Sequence, residues 1–147
     1  MIDTWIAELP HGMRLSCRSA GERGRPVLMF LHGFPEAAFA WDELLAHFAA
    51  PEHGGFRCVA PNLRGYEQSS RPADVSAYHA KHLAQDIAAL IAAESACSFP
   101  ASCDCVAVVT ASAAPAPLVA SVVSAPDCRA VTLLIAAVAS AACAVGA

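Results

Sequence analysis

Apolar and polar positions alternate through the opening of the chain and predict a pair of strands there. Residues 2–9 and 13–17 each alternate loosely, and they are separated by the turn signal Pro10-His11-Gly12. Short alternating runs joined by such a turn are typical of a β-hairpin. We therefore expect the chain to open with two antiparallel strands.

A continuous apolar run and a second short apolar strand follow, and each has a helical pattern behind it. The runs span residues 27–31 and 56–60, and helical spacing of large apolar residues appears over 41–48 and 77–93. Uninterrupted apolar runs are typical of strands that are covered on both faces. Strand–helix alternation predicts a parallel sheet, so the fold class is α/β. Residues 105–110 are predicted to add a third parallel strand.

The composition changes abruptly after Ser95. The first 95 residues contain 19 of the 22 charged residues and all six histidines, whereas the last 52 are dominated by Ala, Val, Ser and Cys. We therefore predict two parts: residues 1–95 are the N-terminal portion of a domain, and residues 96–147 form a tail of different character. A shift of the coding frame near residues 94–99 would produce such a tail, as would a short paralogue or a selected tail.

Charge and cysteine usage exclude several classes of function. The formal net charge of −4 does not provide the basic surface that nucleic-acid binding needs. The chain does not open with a basic segment followed by an apolar run, so we expect no secretory signal. Its seven cysteines are then predicted to be reduced thiols in the cytoplasm. Residues 130–147 carry no charge, and we interpret them as an Ala-rich tail rather than a membrane anchor.

Polar motifs begin where the two apolar runs end. The first is His32-Gly33-Phe34-Pro35, and the second runs from Asn62 to Pro72. The carboxyl ends of neighbouring parallel strands meet at one edge of the sheet, where ligands bind. Glycine permits a tight turn and proline accepts a cis bond, and a backbone N–H held in such a turn can face a developing oxyanion.

These motifs resemble the N-terminal part of the α/β-hydrolase-fold enzymes, most of all the epoxide hydrolase and haloalkane dehalogenase branch. The resemblance covers residues 27–91 and is carried by the segment from His32 to Glu36, by Trp41 and by the pattern Arg64-Gly65-Tyr66-x-x-Ser69-x-x-Pro72. One position departs from the family pattern, because Glu67 stands where the family usually has glycine. A non-glycine residue tolerates a positive φ poorly, so we expect an altered or strained turn there.

The resemblance implies hydrolysis of small organic molecules through a covalent ester. In that branch an aspartate on a sharp turn attacks a carbon of the substrate, and a later histidine activates the water that hydrolyses the ester. The resemblance also implies that the residues of the first motif form the oxyanion hole or bind substrate, with the donor at the backbone N–H of Phe34: His32, Gly33, Phe34 and Pro35. No cofactor is implied.

The rest of that chemistry has no clear counterpart in the sequence. Ser112 follows the expected third strand, but it lacks the flanking glycines of a nucleophile elbow. Asp104 precedes that strand, and no histidine follows His82. We therefore expect the chain as it stands to be truncated and inactive. Two alternatives stay open: a non-catalytic product whose tail adheres to membranes or partners, and a serine esterase that uses Ser112.

Two side-chain clusters have the composition of metal sites, but neither is predicted to bind metal. His79, His82 and Asp86 have helical spacing and are interpreted as a solvated helix face. The cysteines of the tail lack the paired C-x-x-C spacing of zinc sites. They are Cys97, Cys103, Cys105, Cys128 and Cys143.

Overall fold

The computed structural model of the chain describes residues 1–95, 106–110 and 119–122. Its strands are β1 (Asp3–Glu8), β2 (Arg14–Ala20), β3 (Val27–Leu31), β4 (Arg57–Pro61), β5 (Val106–Thr110) and β6 (Val119–Val122). The helices are α1 (Asp42–Ala49) and α2 (Ala80–Ser95), and short 3₁₀ turns occur at Ala38–Trp41, Pro51–His53 and Val75–Tyr78. Within these ranges no helix combines the length and apolar character needed to cross a bilayer.

The strands form one mixed sheet in the order β1-β2-β4-β3-β5-β6. Strand β3 lies in the interior of this sheet and pairs in parallel with β4 on one side and with β5 on the other. The opening hairpin β1–β2 joins β4 antiparallel, and β6 pairs antiparallel with β5. The predicted hairpin and the three predicted parallel strands are thus confirmed, and the fold class is α/β.

The two helices cover opposite faces of the sheet. Side chains along a strand point alternately to the two faces. In β3, Met29 therefore joins a buried cluster that includes Leu90 of α2, whereas Phe30 joins a second cluster that includes Leu45 of α1. All four of these side chains are fully buried. A strand buried on both faces explains why the sequence of β3 is an uninterrupted apolar run.

Some element bounds differ from the sequence prediction, for local or long-range reasons. The helical pattern expected from residue 77 starts as a 3₁₀ turn, in which the Asp74 side chain accepts a hydrogen bond from the N–H of Ser76. His79 then has an extended backbone, with ψ of 145°, so α2 begins only at Ala80. Strand β2 runs three residues beyond its predicted end at Cys17, because the residues up to Ala20 pair with β4.

The loop that follows β4 is held against β2 and the 3₁₀ turn before α1 by side-chain hydrogen bonds. The Asn62 Oδ1 accepts from the N–H of Ala38 at 2.8 Å, and the Asn62 Nδ2 donates to the Ser16 Oγ at 2.9 Å. The Ser69 Oγ accepts from the N–H of Ser16 and donates to the carbonyl oxygen of Asn62. The two ends of this loop are therefore fixed to the sheet.

The same loop contains a non-glycine residue in the left-handed region. Glu67 has φ of 44°, and Gly65 two residues earlier has φ of 87°. The expected strain at Glu67 is thus present in the backbone. Left-handed backbone costs an L-residue about 1–2 kcal/mol, because the Cβ approaches the following carbonyl oxygen.

We predict that Glu67→Gly is more stable than Glu67→Ala by about 1 kcal/mol, since only the glycine variant lacks the Cβ, while its unfolded chain gains some entropy. The two variants remove the same carboxylate, so any loss of attraction to Arg18 is matched between them. Urea unfolding at neutral pH measures the difference. A glycine variant no more stable than the alanine variant would show that φ at residue 67 is not strained.

Candidate functional site

The first polar motif lies at the carboxyl end of β3, a strand whose first four residues are buried. His32 is 4% exposed, whereas the side chain of Phe34 two residues later is 80% exposed. The peptide bond between Phe34 and Pro35 is cis. The motif is thus a tight turn with a buried histidine at its base and an exposed phenylalanine at its tip.

Both ring nitrogens of His32 form hydrogen bonds with backbone groups. The Nδ1 lies 3.0 Å from the carbonyl oxygen of Gly33, and the Nε2 lies 3.1 Å from the backbone nitrogen of Leu63. An N–H must donate to Nε2, so Nε2 carries no proton and the proton sits on Nδ1, which donates to Gly33. His32 is therefore neutral in this arrangement, and its Nε2 lone pair is occupied by Leu63.

This arrangement fixes the direction of a backbone donor. A trans peptide is planar, so its C=O and N–H point in opposite directions. Because the carbonyl of Gly33 points to the His32 ring, the N–H of Phe34 in the same peptide unit points away from it. The turn thus presents the Phe34 N–H on the side away from the histidine, in a fixed orientation that suits an oxyanion donor.

His32 also joins the two polar motifs of the sequence. Leu63 belongs to the second motif, and the ring of Tyr66 in the same motif contacts the His32 ring edge-on, with 4.5 Å between centroids. The two motifs were expected at the ends of neighbouring strands. The structure brings them into direct contact through this one side chain.

A buried ionic cluster lies behind the second motif, and it was missed by the sequence analysis. Asp86 of α2 is 1% exposed, so the interpretation of His79, His82 and Asp86 as a solvated face is wrong for Asp86. Its carboxylate accepts hydrogen bonds from the Arg64 Nε and Nη2, at 2.5 and 2.8 Å, and one at 2.6 Å from the His11 Nε2. A signal existed, because Asp86 is spaced i+3 from Leu83 and i−4 from Leu90 on the apolar face.

The pKa values in this cluster move in the direction expected of an ion pair. Burial of the Asp86 carboxyl by itself raises its pKa, but the hydrogen bonds from Arg64 and His11 outweigh that effect and the pKa is lowered. The pKa of Arg64 is raised, chiefly by its hydrogen bonds to Asp86. Asp86 is therefore ionised at neutral pH although it is buried.

The described residues contain no cluster of three or more His, Cys, Asp or Glu side chains able to hold a metal ion. Cys17 and Cys58 are free and buried, and burial raises the pKa of each thiol to about 12, so neither is a thiolate at neutral pH. Ser112, Asp104 and the five tail cysteines lie outside the described residues.

A cavity of about 340 Å³ lies against the opening hairpin. Its lining includes Ile6, Arg18, Phe39 and Glu67, but none of the four residues of the turn after β3. The cavity is therefore not formed by the turn.

Comparison with known proteins identifies the family. The family model of the alpha/beta hydrolase fold matches residues 26–118, which is more than half of the chain and includes β5. Epoxide hydrolase A of Mycobacterium tuberculosis is 40% identical over 81 residues, which cover 55% of this chain and 24% of that protein. Epoxide hydrolase 4 of Mus musculus is 41% identical over 76 residues, covering 52% of this chain and 20% of that protein.

The solved structures agree with the sequence relatives. The crystal structure of an epoxide hydrolase from Vigna radiata has a TM-score of 0.56 and 37% sequence identity, and the match covers 63% of this chain and 28% of that one. The chain thus spans about a quarter of the length of the relatives that it matches. It belongs to the α/β hydrolase fold family, in the branch of the epoxide hydrolases.

Proposed function

We propose that this chain carries the oxyanion-binding turn of an epoxide-hydrolase-like enzyme that acts on small organic molecules. In the reaction that the resemblance implies, a carboxylate opens the substrate by attacking carbon and forms an ester, and water then attacks the ester carbonyl. The carbonyl oxygen becomes an oxyanion in that second step. The Phe34 N–H is the donor that stabilises it, and it does so best when its direction is fixed beforehand.

One observation carries this proposal: both ring nitrogens of His32 are bonded to backbone. The Gly33 carbonyl cannot rotate away from Nδ1 without losing a hydrogen bond, and the His32 ring cannot turn without losing the one from Leu63. The Phe34 N–H is therefore held before any substrate arrives. Removal of one fixed donor of this kind lowers kcat by a factor of about 10²–10³.

Two relatives support the substrate class: Epoxide hydrolase A and Epoxide hydrolase 4, whose matched segments cover 55% and 52% of this chain. The match covers only 24% and 20% of those two proteins. The proposal therefore concerns a whole enzyme that contains a segment like this chain.

We further propose that this chain by itself does not turn over substrate. The resemblance requires a histidine late in the chain, and no histidine follows His82. Of the earlier histidines, His11 is bonded to Asp86, His32 is bonded to backbone, and His47 stacks on His53 with 3.7 Å between ring centroids. His11 and His32 are thus already engaged in hydrogen bonds to other parts of the fold.

The remaining parts of the proposal come from the sequence. We place the chain in the cytoplasm, without a cofactor, and we divide it at residue 95 into a hydrolase portion and a tail. Two alternatives are a non-catalytic product whose tail adheres to membranes or partners, and a serine esterase that uses Ser112. A turnover assay separates the esterase from the other two.

We predict that the purified chain hydrolyses an epoxide, a haloalkane and p-nitrophenyl acetate no faster than buffer does. The physical reason is that the fixed donor binds an oxyanion but supplies neither nucleophile nor base. Ser112→Ala is the matched control and should leave the rate unchanged. Saturable ester hydrolysis that Ser112→Ala abolishes would contradict the proposal and establish the serine esterase.

A chimera tests the turn itself. We predict that Epoxide hydrolase A of Mycobacterium tuberculosis stays active when residues 1–91 of this chain replace its matching segment. In that chimera His32→Ala should lower kcat by about 10²-fold, because the Phe34 N–H loses its fixed direction. His53→Ala removes an exposed histidine far from the turn and serves as the control.

Steady-state kinetics on an epoxide substrate measures both variants of the chimera. A folded chimera without activity, or a His32→Ala variant with the kcat of the parent chimera, would contradict the proposed role of the turn.

A further inference from the structure

The buried carboxylate of Asp86 holds three segments that are distant in the sequence. It accepts from His11 in the β1–β2 turn and from Arg64 in the loop after β4, and it lies on α2 itself. The side chains of Arg64 and Asp86 are 6% and 1% exposed, whereas that of His11 is 25% exposed. Charge-assisted, two-pronged hydrogen bonds of an arginine to a carboxylate fix the orientation of both groups.

Arg64 transmits this fixed orientation to the backbone of the loop. Its Nη1 also donates to the carbonyl oxygen of Ala77 at 2.8 Å, so the guanidinium is held from two sides. Leu63 immediately precedes Arg64, and the Leu63 N–H donates to the His32 Nε2. Hydrogen bonds from Asp86 to Arg64 and from Leu63 to His32, joined by the Leu63–Arg64 peptide bond, therefore connect α2 to the turn after β3.

We propose that Asp86 is a positioning residue for the oxyanion-binding turn: through Arg64 and Leu63 it holds His32 in the tautomer that fixes the Phe34 N–H. The inference rests on the proposed function of that turn. Asp86 touches no reacting atom, and its effect on the turn passes through the backbone at Leu63 and the ring of His32.

A second buried ion pair provides the comparison that separates positioning from plain stabilisation. The Arg57 Nε donates to the Glu94 Oε2 at 3.1 Å, and both side chains are 5% exposed. Arg57 is the first residue of β4, whereas Leu63 lies beyond its last residue, so this pair sits at the other end of the strand. Breaking it destabilises the chain without touching the contacts of His32.

The experiment is ¹⁵N NMR on the full chain, with the ring nitrogens of His32 and the amide of Leu63 as probes. The wild type should show a protonated Nδ1 and an unprotonated Nε2. In Asp86→Asn we expect the two ring signals to average between tautomers, and the Leu63 amide to exchange with solvent faster by about tenfold. Glu94→Gln should leave both probes as they are in the wild type.

Two milder variants keep the test decisive if Asp86→Asn does not fold. Arg64→Lys keeps the charge beside Asp86 but cannot form the two-pronged contact, and His11→Gln changes a half-buried residue at the periphery. Both should shift the same two probes in the same direction, His11→Gln by less. Asp42→Asn, which removes the two-pronged Arg18–Asp42 contact elsewhere, should shift neither probe.

Unchanged His32 and Leu63 signals in a folded Asp86→Asn or Arg64→Lys variant would overturn the inference. Equal changes in Glu94→Gln would overturn it as well, because they would show that any buried pair has this effect. The probes are read without substrate, so they report on positioning even if the kinetic test of the turn fails.

Discussion

The ionised carboxylate of Asp86 is the constraint on which the arrangement of the site depends. Taking a carboxylate out of water is unfavourable unless its oxygens are fully hydrogen-bonded, and the loss of one partner of a buried pair costs about 3–5 kcal/mol. Asp86 meets this requirement only when Arg64 and His11 are both in place. The opening hairpin, the loop after β4 and α2 therefore adopt their positions together, and the turn after β3 packs against that loop.

The turn depends on β3 in a simpler way. Strand β3 is paired in parallel on both sides and covered on both faces, so its position and direction are fixed. His32, which follows its carboxyl end, is therefore held in a buried position. The histidine is then used to hold backbone. Because its Nε2 accepts from Leu63, that nitrogen has no free lone pair, and in our proposal the ring orients the Phe34 N–H. In the covalent chemistry that we propose, the Phe34 N–H is a rigid donor, and other residues supply the nucleophile and the base.

Local sequence patterns predicted most of the sheet. Most of the features that they did not predict depend on contacts between residues that are distant in the sequence. The apolar run of β3 and the motif after it are contiguous, so their roles in the fold followed from the sequence. The length of β2 and the burial of Asp86 did not, because their partners lie in β4 and at positions 11 and 64. The start of α2 was misplaced for a local reason, since the Asp74 cap favours a 3₁₀ turn over helix at Ala77 and Tyr78.

The pH dependence of stability tests the central role of Asp86 most directly. Its pKa is lowered in the folded chain, so it contributes stability above the unfolded value of about 3.9, and that contribution is lost as the pH falls through the folded pKa. We expect the wild-type chain to have a larger free energy of unfolding in urea than the Asp86→Asn variant at pH 7. The difference between the two proteins should shrink steadily below about pH 4. A constant difference between the two proteins from neutral to acid pH would contradict an ionised Asp86 as the constraint that holds the site.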